Sequence, residues 1–145
     1  MQKQKSLTRQ TRNIIGIYMN KEIKLDKSSF LVSETDEKGI IKFANSEFCK
    51  FAGYELEELI GKPHNIVRHK DMPAQAFEDL WATVKNGNKW KGYVKNTTKN
   101  GDYYWVFATV FAYKSCDGKS GYISCRKFAT EEEIKTHEEL YKSMR

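Results

Sequence analysis

The sequence predicts an α+β fold in which a five-stranded antiparallel sheet carries short helices on one face, with helical extensions at the termini. Two short strand-like runs near the N-terminus and three longer ones in the second half are bounded by glycine-containing turns. The segment between these two groups has helical periodicity and helix-capping residues. A chain of 145 residues has the size of one domain with its own core.

The first two predicted strands are Phe30–Thr35 and Ile40–Ala44, which are joined by a tight turn ending in glycine. A short helix follows them in "ANSEFCKFAGY". Asn45 or Ser46 is its predicted N-cap, because both side chains can accept a hydrogen bond from the first helical turn. Gly53 is its predicted end.

The next segments predict two further helices separated by a connecting loop. "ELEELIG" predicts one or two helical turns that end at Gly61. The loop "HNIVRHKDMP" follows, and Pro73 begins the clearest helix of the chain, which Gly87 ends. Apolar residues recur on one face of this helix at Phe77, Leu80, Trp81 and Val84.

Three predicted strands form the second half of the sheet, at Trp90–Thr98, Tyr103–Lys114 and Gly121–Ala129. An Asn-Gly pair and an Asp-Gly pair predict the two hairpin turns between them. The acid-rich segment after the last strand predicts a helix capped near Thr130. Its contact stripe is expected at Ile134, His137, Leu140 and Tyr141.

The middle one of these strands is apolar on both faces. One face carries Tyr103, Trp105, Phe107 and Phe111, and the other carries Val106, Ala108 and Val110. A sheet in a small domain usually has one solvated face. We therefore expect the second face to be covered by the terminal segments or by another protein chain.

The charge distribution divides the chain into a basic extension (1–27), a central domain (28–129) and a C-terminal helix (130–145). The net charge is +6, but the extension has seven Lys or Arg against two acids and the rest has eighteen against seventeen. The nearly neutral central domain lacks the basic surface of a nucleic-acid-binding protein.

We expect neither a membrane-spanning segment nor a secretion signal in this sequence. No apolar segment approaches the roughly 20 residues that cross a bilayer, and the N-terminus lacks a small-residue cleavage site. We expect a cytoplasmic protein without a direct membrane span. Its three cysteines, Cys49, Cys116 and Cys125, have no paired spacing and are expected to be reduced.

A candidate binding site lies between the predicted sheet and the helices. Trp81 on the inward stripe offers a flat aromatic surface. Polar side chains are expected around it, namely Asn45, His64, Arg68, His69 and Asp71. A flat heterocycle with carbonyl groups and ring nitrogens is bound by this combination of an aromatic surface and a few polar groups.

Each of these residues also has an ordinary structural interpretation. Trp81 can be core packing, and Asn45 can be only a helix cap. Asp71 can cap the helix that follows, or its negative charge can be stabilised by the positive end of the helix dipole. His64 and His69 can be exposed loop residues, and Arg68 can pair with a surface acid. Taken singly, no residue decides between the two interpretations.

A longer motif distinguishes them. The block "GYELEELIGKPHNIVRHKDMPAQAFEDLWATVKNGNKWKGYVKNTTKNGDYYWVFATVF" and the ending "ISCRKFATEEEI" resemble the PAS domain of Aer-type bacterial energy-taxis (aerotaxis) receptors. The resemblance runs from about Phe30 to the C-terminus. It implies a PAS fold that binds FAD non-covalently and reports respiratory redox state to a chemotaxis receptor or another HAMP-containing signalling protein.

The resemblance also implies roles for particular residues. Arg68, His69 and Asp71 lie in the loop motif of the family, and Trp81 occupies its aromatic position. Other positions that the family links with flavin binding correspond to Asn45, His64 and Asn96. Lys70 departs from the family, which often has proline there. Full receptors continue into a membrane anchor and a signalling helix, so this chain is expected to be an excised piece or a stand-alone sensor.

Other functions remain alternatives. A haem-binding gas sensor would need His64 or His69 as axial ligand, and a ligand-free PAS module would only dimerise. For the flavin sensor itself, we expect the signalling partner or a second copy of the chain to dock on the outer sheet face. A blue-light sensor would need a cysteine near residues 65–69, where the chain has none. Catalysis has little support, because there is no phosphate-binding glycine loop, nucleophile elbow or zinc-binding histidine pair. No resident metal is expected.

Overall fold

The computed structural model describes residues 20–145. Residues 1–19 of the predicted N-terminal helical extension lie outside this range, and residues 20–27 contain no helix. The strands are β1 (Phe30–Asp36), β2 (Ile41–Ala44), β3 (Trp90–Thr97), β4 (Tyr103–Lys114) and β5 (Ser120–Lys127). The helices are α1 (Ser46–Ala52), α2 (Leu56–Leu59), α3 (Ala74–Lys85) and α4 (Glu131–Ser143). The α+β fold that the sequence predicts is confirmed.

The five strands form one antiparallel sheet in the order β2-β1-β5-β4-β3. The first and last strands of the domain therefore pair at its centre. Their register places Ser33 opposite Ser124 and Leu31 opposite Arg126, and Arg126 also lies opposite Ala108 of β4. Because side chains alternate between the faces of a strand, Ser124 and Arg126 share the face that α1 to α3 cover.

The inner face of the sheet packs against α1, α2 and α3. Phe48, Leu59, Val84 and Tyr104 are nearly or completely inaccessible and form the centre of this core. The connecting segment between α2 and α3 has regular structure of its own, a 3-10 turn at His64–Val67. Isolated bridges join Ile40 to Pro63 and Arg68 to Asn96, so this segment is tied to both edges of the sheet.

Asn45 joins α1 to the sheet. Its Oδ1 accepts hydrogen bonds from the backbone N–H of Phe48 (3.0 Å) and of Val32 (3.1 Å). Its Nδ2 donates to the carbonyl of Phe30 at 2.9 Å. The side chain thus caps the helix and also bonds to the backbone of β1.

The outer face of the sheet is partly covered by the C-terminal helix α4, in agreement with the alternative that a terminal segment covers it. The ring of Tyr141 in α4 stacks on Trp105, with centroids 6.2 Å apart, and its hydroxyl donates to the carbonyl of Tyr93. The segment before β1 pairs in the plane of the sheet, where the backbone of Ile23 donates to the carbonyl of Tyr103 at 2.8 Å. Phe43 on the far side of this face remains 46% exposed.

One member of the predicted contact stripe of α4 was placed wrongly. Leu140 is 49% exposed, whereas Tyr141 is 8% exposed. His137 and Tyr141 are one helical turn apart and meet at their rings, 5.9 Å between centroids. This pair defines the buried side of the helix, and the adjacent position 140 turns away from it.

We expect replacement of Asn45 by alanine to lower the free energy of unfolding by roughly 2 kcal/mol, because it removes a helix cap and two bonds to β1. Urea unfolding followed by far-UV circular dichroism measures the loss. The matched control is Asn88→Ala at an exposed position after α3, which should change the stability by less than about 0.5 kcal/mol. Equal stabilities of the two variants would contradict the role assigned to Asn45.

Candidate functional site

A cavity of about 240 Å³ lies between the inner face of the sheet, the 3-10 turn and α3. Its wall combines apolar and polar side chains from β1, β3, β4 and β5 with residues of the connecting segment. The lining residues are Ser33, Thr35, Lys38, Gly39, Pro63, His64, Asn65, Val67, Arg68, Phe77, Leu80, Trp81, Val94, Asn96, Val110, Tyr122, Ser124 and Arg126. None of them is acidic, so the described part of the wall has a positive charge.

Trp81 forms an aromatic side of the cavity together with Tyr122. Their rings meet edge to face, with centroids 5.1 Å apart and planes at 75°. Gly39 lies beside this indole, and an added Cβ there would be 3.5 Å from the ring. Gly39 also has a positive φ of 83°, which glycine adopts without strain. The sequence-based placement of Trp81 on the inward side of α3 is what the structure shows.

Arg68 lies at the mouth of the cavity. Its guanidinium carbon is 3.6 Å from the centroid of the Phe77 ring, a cation–π contact. The backbone of Arg68 bridges to Asn96 of β3, which fixes this loop at the edge of the sheet. Partial burial lowers the pKa of Arg68, and a guanidinium remains charged in proteins.

His64 faces the cavity from the 3-10 turn and is neutral. Its Nε2 lies 2.8 Å from Ser33 Oγ, and its ring meets Phe48 edge-on. Burial, and then the charges of Arg126 and Arg68, lower the pKa of His64 to about 3. The imidazole is therefore a hydrogen-bonding group of the wall and not a cation at physiological pH.

Arg126 and Asn96 form the deep polar end of the cavity. Arg126 donates from Nε to Ser124 Oγ (2.9 Å) and from Nη1 to Asn96 Oδ1 (3.2 Å), and burial lowers its pKa. Asn96 is 1% exposed, and its Nδ2 has no hydrogen-bond partner among the described residues. Tyr104 lies opposite Asn96 in register, but no hydrogen bond joins their side chains.

Sequence reasoning missed Arg126, Ser124 and Ser33. The available signal was the alternation of β5, because Tyr122, Ser124 and Arg126 fall on one face of the strand. Two polar residues on the face that should contact the core are unusual. They indicate a cavity and not solid packing.

His69 and Asp71 lie outside the cavity, on the other side of the β3 edge. The Asp71 carboxylate contacts Lys95 Nζ at 3.0 Å and Arg145 Nη1 at 3.0 Å. Burial raises the pKa of Asp71, but the hydrogen bond and charge of Lys95 lower it overall. His69 Nδ1 accepts a hydrogen bond from the backbone of Asp71, and burial lowers its pKa. These groups connect the loop to the end of α4.

Four of the seven residues singled out in the sequence thus line the cavity, namely His64, Arg68, Trp81 and Asn96. Asn45, His69 and Asp71 do not. The hydrogen-bonding groups of Asn45 are used by the backbone of α1 and β1, and Asp71 pairs with cations on the outer side. No cluster of three or more His, Cys, Asp or Glu side chains within residues 20–145 is arranged to hold a metal ion.

A protein-family model described as PAS fold matches residues 41–126, which is more than half of the chain. The chain belongs to the PAS fold family. As a PAS domain it is 50% identical over 114 residues to the aerotaxis receptor of Escherichia coli (strain K12), a match that covers 79% of this chain and 22% of the receptor. The resemblance to aerotaxis receptors is confirmed.

More distant relatives agree with the PAS assignment. The nitrogen fixation regulatory protein of Klebsiella pneumoniae is 27% identical over 82 residues, which cover 57% of this chain and 17% of that protein. A solved light-oxygen-voltage domain, studied with a flavin analogue, superimposes with a TM-score of 0.64 at 19% identity, covering 80% of this chain and 87% of that one. That likeness shows the fold alone. The match covers only about a fifth of the length of the aerotaxis receptor and of the nitrogen fixation regulatory protein.

Between residues 20 and 145, no helix combines the length and the hydrophobicity needed to pass through a membrane.

We expect His64 to make the stability of the domain fall as the solution becomes acidic. The unfolded histidine takes up a proton near its ordinary pKa of about 6.5, whereas the folded one does so only near pH 3. The stability that His64 contributes is therefore complete above about pH 6.5 and is lost as the pH falls toward 3.

Urea unfolding of the wild type and of His64→Gln, each at about pH 7.5 and about pH 5, measures this contribution. The loss between the two pH values should be smaller in the variant by up to about 2 kcal/mol. His69 and the carboxylates titrate in both proteins and cancel from the comparison. An identical loss in both would show that His64 is not held neutral.

Proposed function

We propose that this PAS domain binds a flavin, FAD, non-covalently in the cavity and reports its redox state to a chemotaxis signalling complex. The 50% identity to an aerotaxis receptor supports this proposal. The observation that carries it is the donor-rich end of the cavity at Arg126 and Asn96, which faces an aromatic side at Trp81.

The lining residues suit a flat ring with carbonyl groups along one edge. Asn96 Oδ1 is used by Arg126, so the amide has only its Nδ2 donor left, and this atom is buried in the wall. Arg126 likewise offers only donors. A pyrimidine edge with carbonyl oxygens and a ring nitrogen is the complement of such a wall, and Trp81 with Tyr122 supplies aromatic contact.

The size of the cavity indicates how much of the cofactor it holds. A volume of about 240 Å³ is slightly below the roughly 300–1,000 Å³ of most small-molecule sites. We infer that the cavity takes the ring system and that the phosphates pass out beside Lys38 and Arg68, which are both exposed at the mouth. These two cations can bind phosphate oxygens there.

A bound flavin supplies reversible uptake of electrons and protons. The protein's own residues hold the ring, exclude water from its buried edge and present one neutral imidazole, His64, and two cations, Arg68 and Arg126. A change in charge at the ring alters their interactions. Such a change in charge shifts a conformational equilibrium only if it stabilises one conformation more than the other. The difference in free energy is typically about 1–3 kcal/mol.

The connecting segment offers a route from the cavity to α4. Arg68 faces the cavity, and its backbone bridges to Asn96. Three residues later, Asp71 pairs with Lys95 and with Arg145 at the end of α4. We propose that a displacement of Arg68 reaches α4 through Asp71.

The proposed partner is a chemotaxis receptor or another HAMP-containing signalling protein, and the proposed location is cytoplasmic. A second copy of the chain is another candidate, which would dock on the part of the outer sheet face that α4 leaves open. Phe43 is exposed there, and Ile123 and Phe111 are half-buried beside each other in register. We propose a signalling role without catalysis.

The alternatives of the same fold have less support from the cavity. An axial haem ligand must be an imidazole of the cavity wall. His69 lies outside the cavity, and His64 contacts Ser33 through Nε2, so only Nδ1 of His64 is left for iron. No cysteine is among the described lining residues, which disfavours a cysteinyl–flavin light sensor.

We expect Trp81→Ala and Arg68→Ala to retain flavin at least about tenfold more weakly than the wild type, because each removes a contact to the cofactor. Visible absorption of the purified proteins and mass determination of the released ligand measure retention and separate FAD from FMN and haem. Arg145→Ala, an arginine outside the cavity, is the matched control and should keep full occupancy. Unchanged spectra and occupancy in both cavity variants would rule out this site.

We expect Asp71→Asn to loosen the end of α4, because a neutral amide cannot form the ion pairs that the Asp71 carboxylate makes with Lys95 and Arg145. Hydrogen exchange followed by mass spectrometry should show several-fold faster exchange of the last turn of α4, whose opening needs less free energy than global unfolding. Glu139→Gln, an exposed acid on the same helix, is the control. Equal exchange in both variants would exclude Asp71 as the connection.

A further inference from the structure

Arg126 carries a buried positive charge that no described residue neutralises. It is 6% exposed, and no carboxylate oxygen within residues 20–145 lies within 4.0 Å of its guanidinium. Its two protein hydrogen bonds go to neutral acceptors, Ser124 Oγ and Asn96 Oδ1. A buried cation without a partner is strongly unfavourable, so its position in a cavity wall indicates a ligand that carries or acquires negative charge.

The neighbours of Arg126 strengthen this indication. Arg126 occupies Oδ1 of Asn96, so the group of this side chain that is left over is a donor, Nδ2, which is buried in the wall without a described partner. Tyr104, opposite Asn96, stays protonated, since burial raises its pKa to about 12. The deep end of the cavity therefore has a fixed positive charge, beside which an anion on a ligand is stabilised.

We propose that Arg126 sets the reduction potential of the bound flavin by pairing with the N1 and C2-carbonyl edge of the ring. This inference rests on the proposed function. A reductant supplies two electrons, solvent supplies one proton to N5, and N1 keeps the resulting negative charge beside the guanidinium. Without the positive charge of Arg126, N1 takes up a second proton and reduction of the flavin is less favourable.

The other groups around the cavity do not provide this effect in the same way. Lys38 and Arg68 are exposed at the mouth, where water screens their charge. His64 has a pKa of about 3 and carries no charge from mildly acidic to mildly alkaline pH. Tyr122 faces the cavity from β5 as an aromatic contact of Trp81. Arg126 is thus the one buried cation among the described lining residues.

The test measures the midpoint potential of the flavin-loaded protein against reference dyes, with dithionite as reductant, across mildly acidic to mildly alkaline pH. The wild-type potential should change with pH as expected for one proton per two electrons. Arg126→Gln should have a more negative potential and, at the acidic end, the steeper slope of two protons. In this variant, binding of reduced relative to oxidised flavin should weaken at least about tenfold.

Two further variants separate charge from structure. Arg126→Lys keeps the charge and should remain closer to the wild type than Arg126→Gln does. Lys127→Gln, at the next position and exposed on the opposite face of β5, should leave the potential unchanged.

Each outcome decides a different claim. A folded wild type that takes up neither FAD nor FMN overturns the proposed function and this inference together. A flavin-loaded wild type whose potential follows two protons per two electrons over the whole range overturns this inference alone, even if Arg126→Gln loses the cofactor. An unchanged potential in flavin-loaded Arg126→Gln does the same.

Discussion

The uncompensated charge of Arg126 is the interaction on which the site depends. This guanidinium is almost inaccessible and is hydrogen-bonded only to Ser124 and Asn96. The stability of its charge therefore depends on the other groups that surround it in the cavity. The pKa of His64 is lowered partly because Arg126 is near. The absence of acidic side chains from the described wall leaves the charge available to a ligand.

The topology of the sheet explains how this arrangement is reached. β5 lies between β1 and β4, so its inward residues occupy the centre of the sheet and not an edge. Arg126 is thereby surrounded by backbone that is already hydrogen-bonded, and solvent cannot reach it from the side. The connecting segment and α3 then close the cavity over the centre, with Lys38 and Arg68 exposed at its mouth.

Much of the fold could be predicted from the sequence, because its local signals agree with each other. The Asn-Gly and Asp-Gly turns, the apolar stripe of α3 and the cap at Asn45 each indicate the element that forms. The site was harder to predict. Arg68 is in extended backbone at its bridge to Asn96, so consecutive side chains point to opposite sides and His69 is directed away from the cavity. That bridge is a tertiary contact, which no local pattern specifies.

A structure of the flavin-loaded protein is the measurement that tests the central claim most directly. It should show the ring between Trp81 and the sheet, with the guanidinium of Arg126 and Nδ2 of Asn96 donating to its carbonyl edge. A ring bound elsewhere, or a cavity in which Arg126 pairs with a protein carboxylate while the flavin makes no contact with it, would contradict the account.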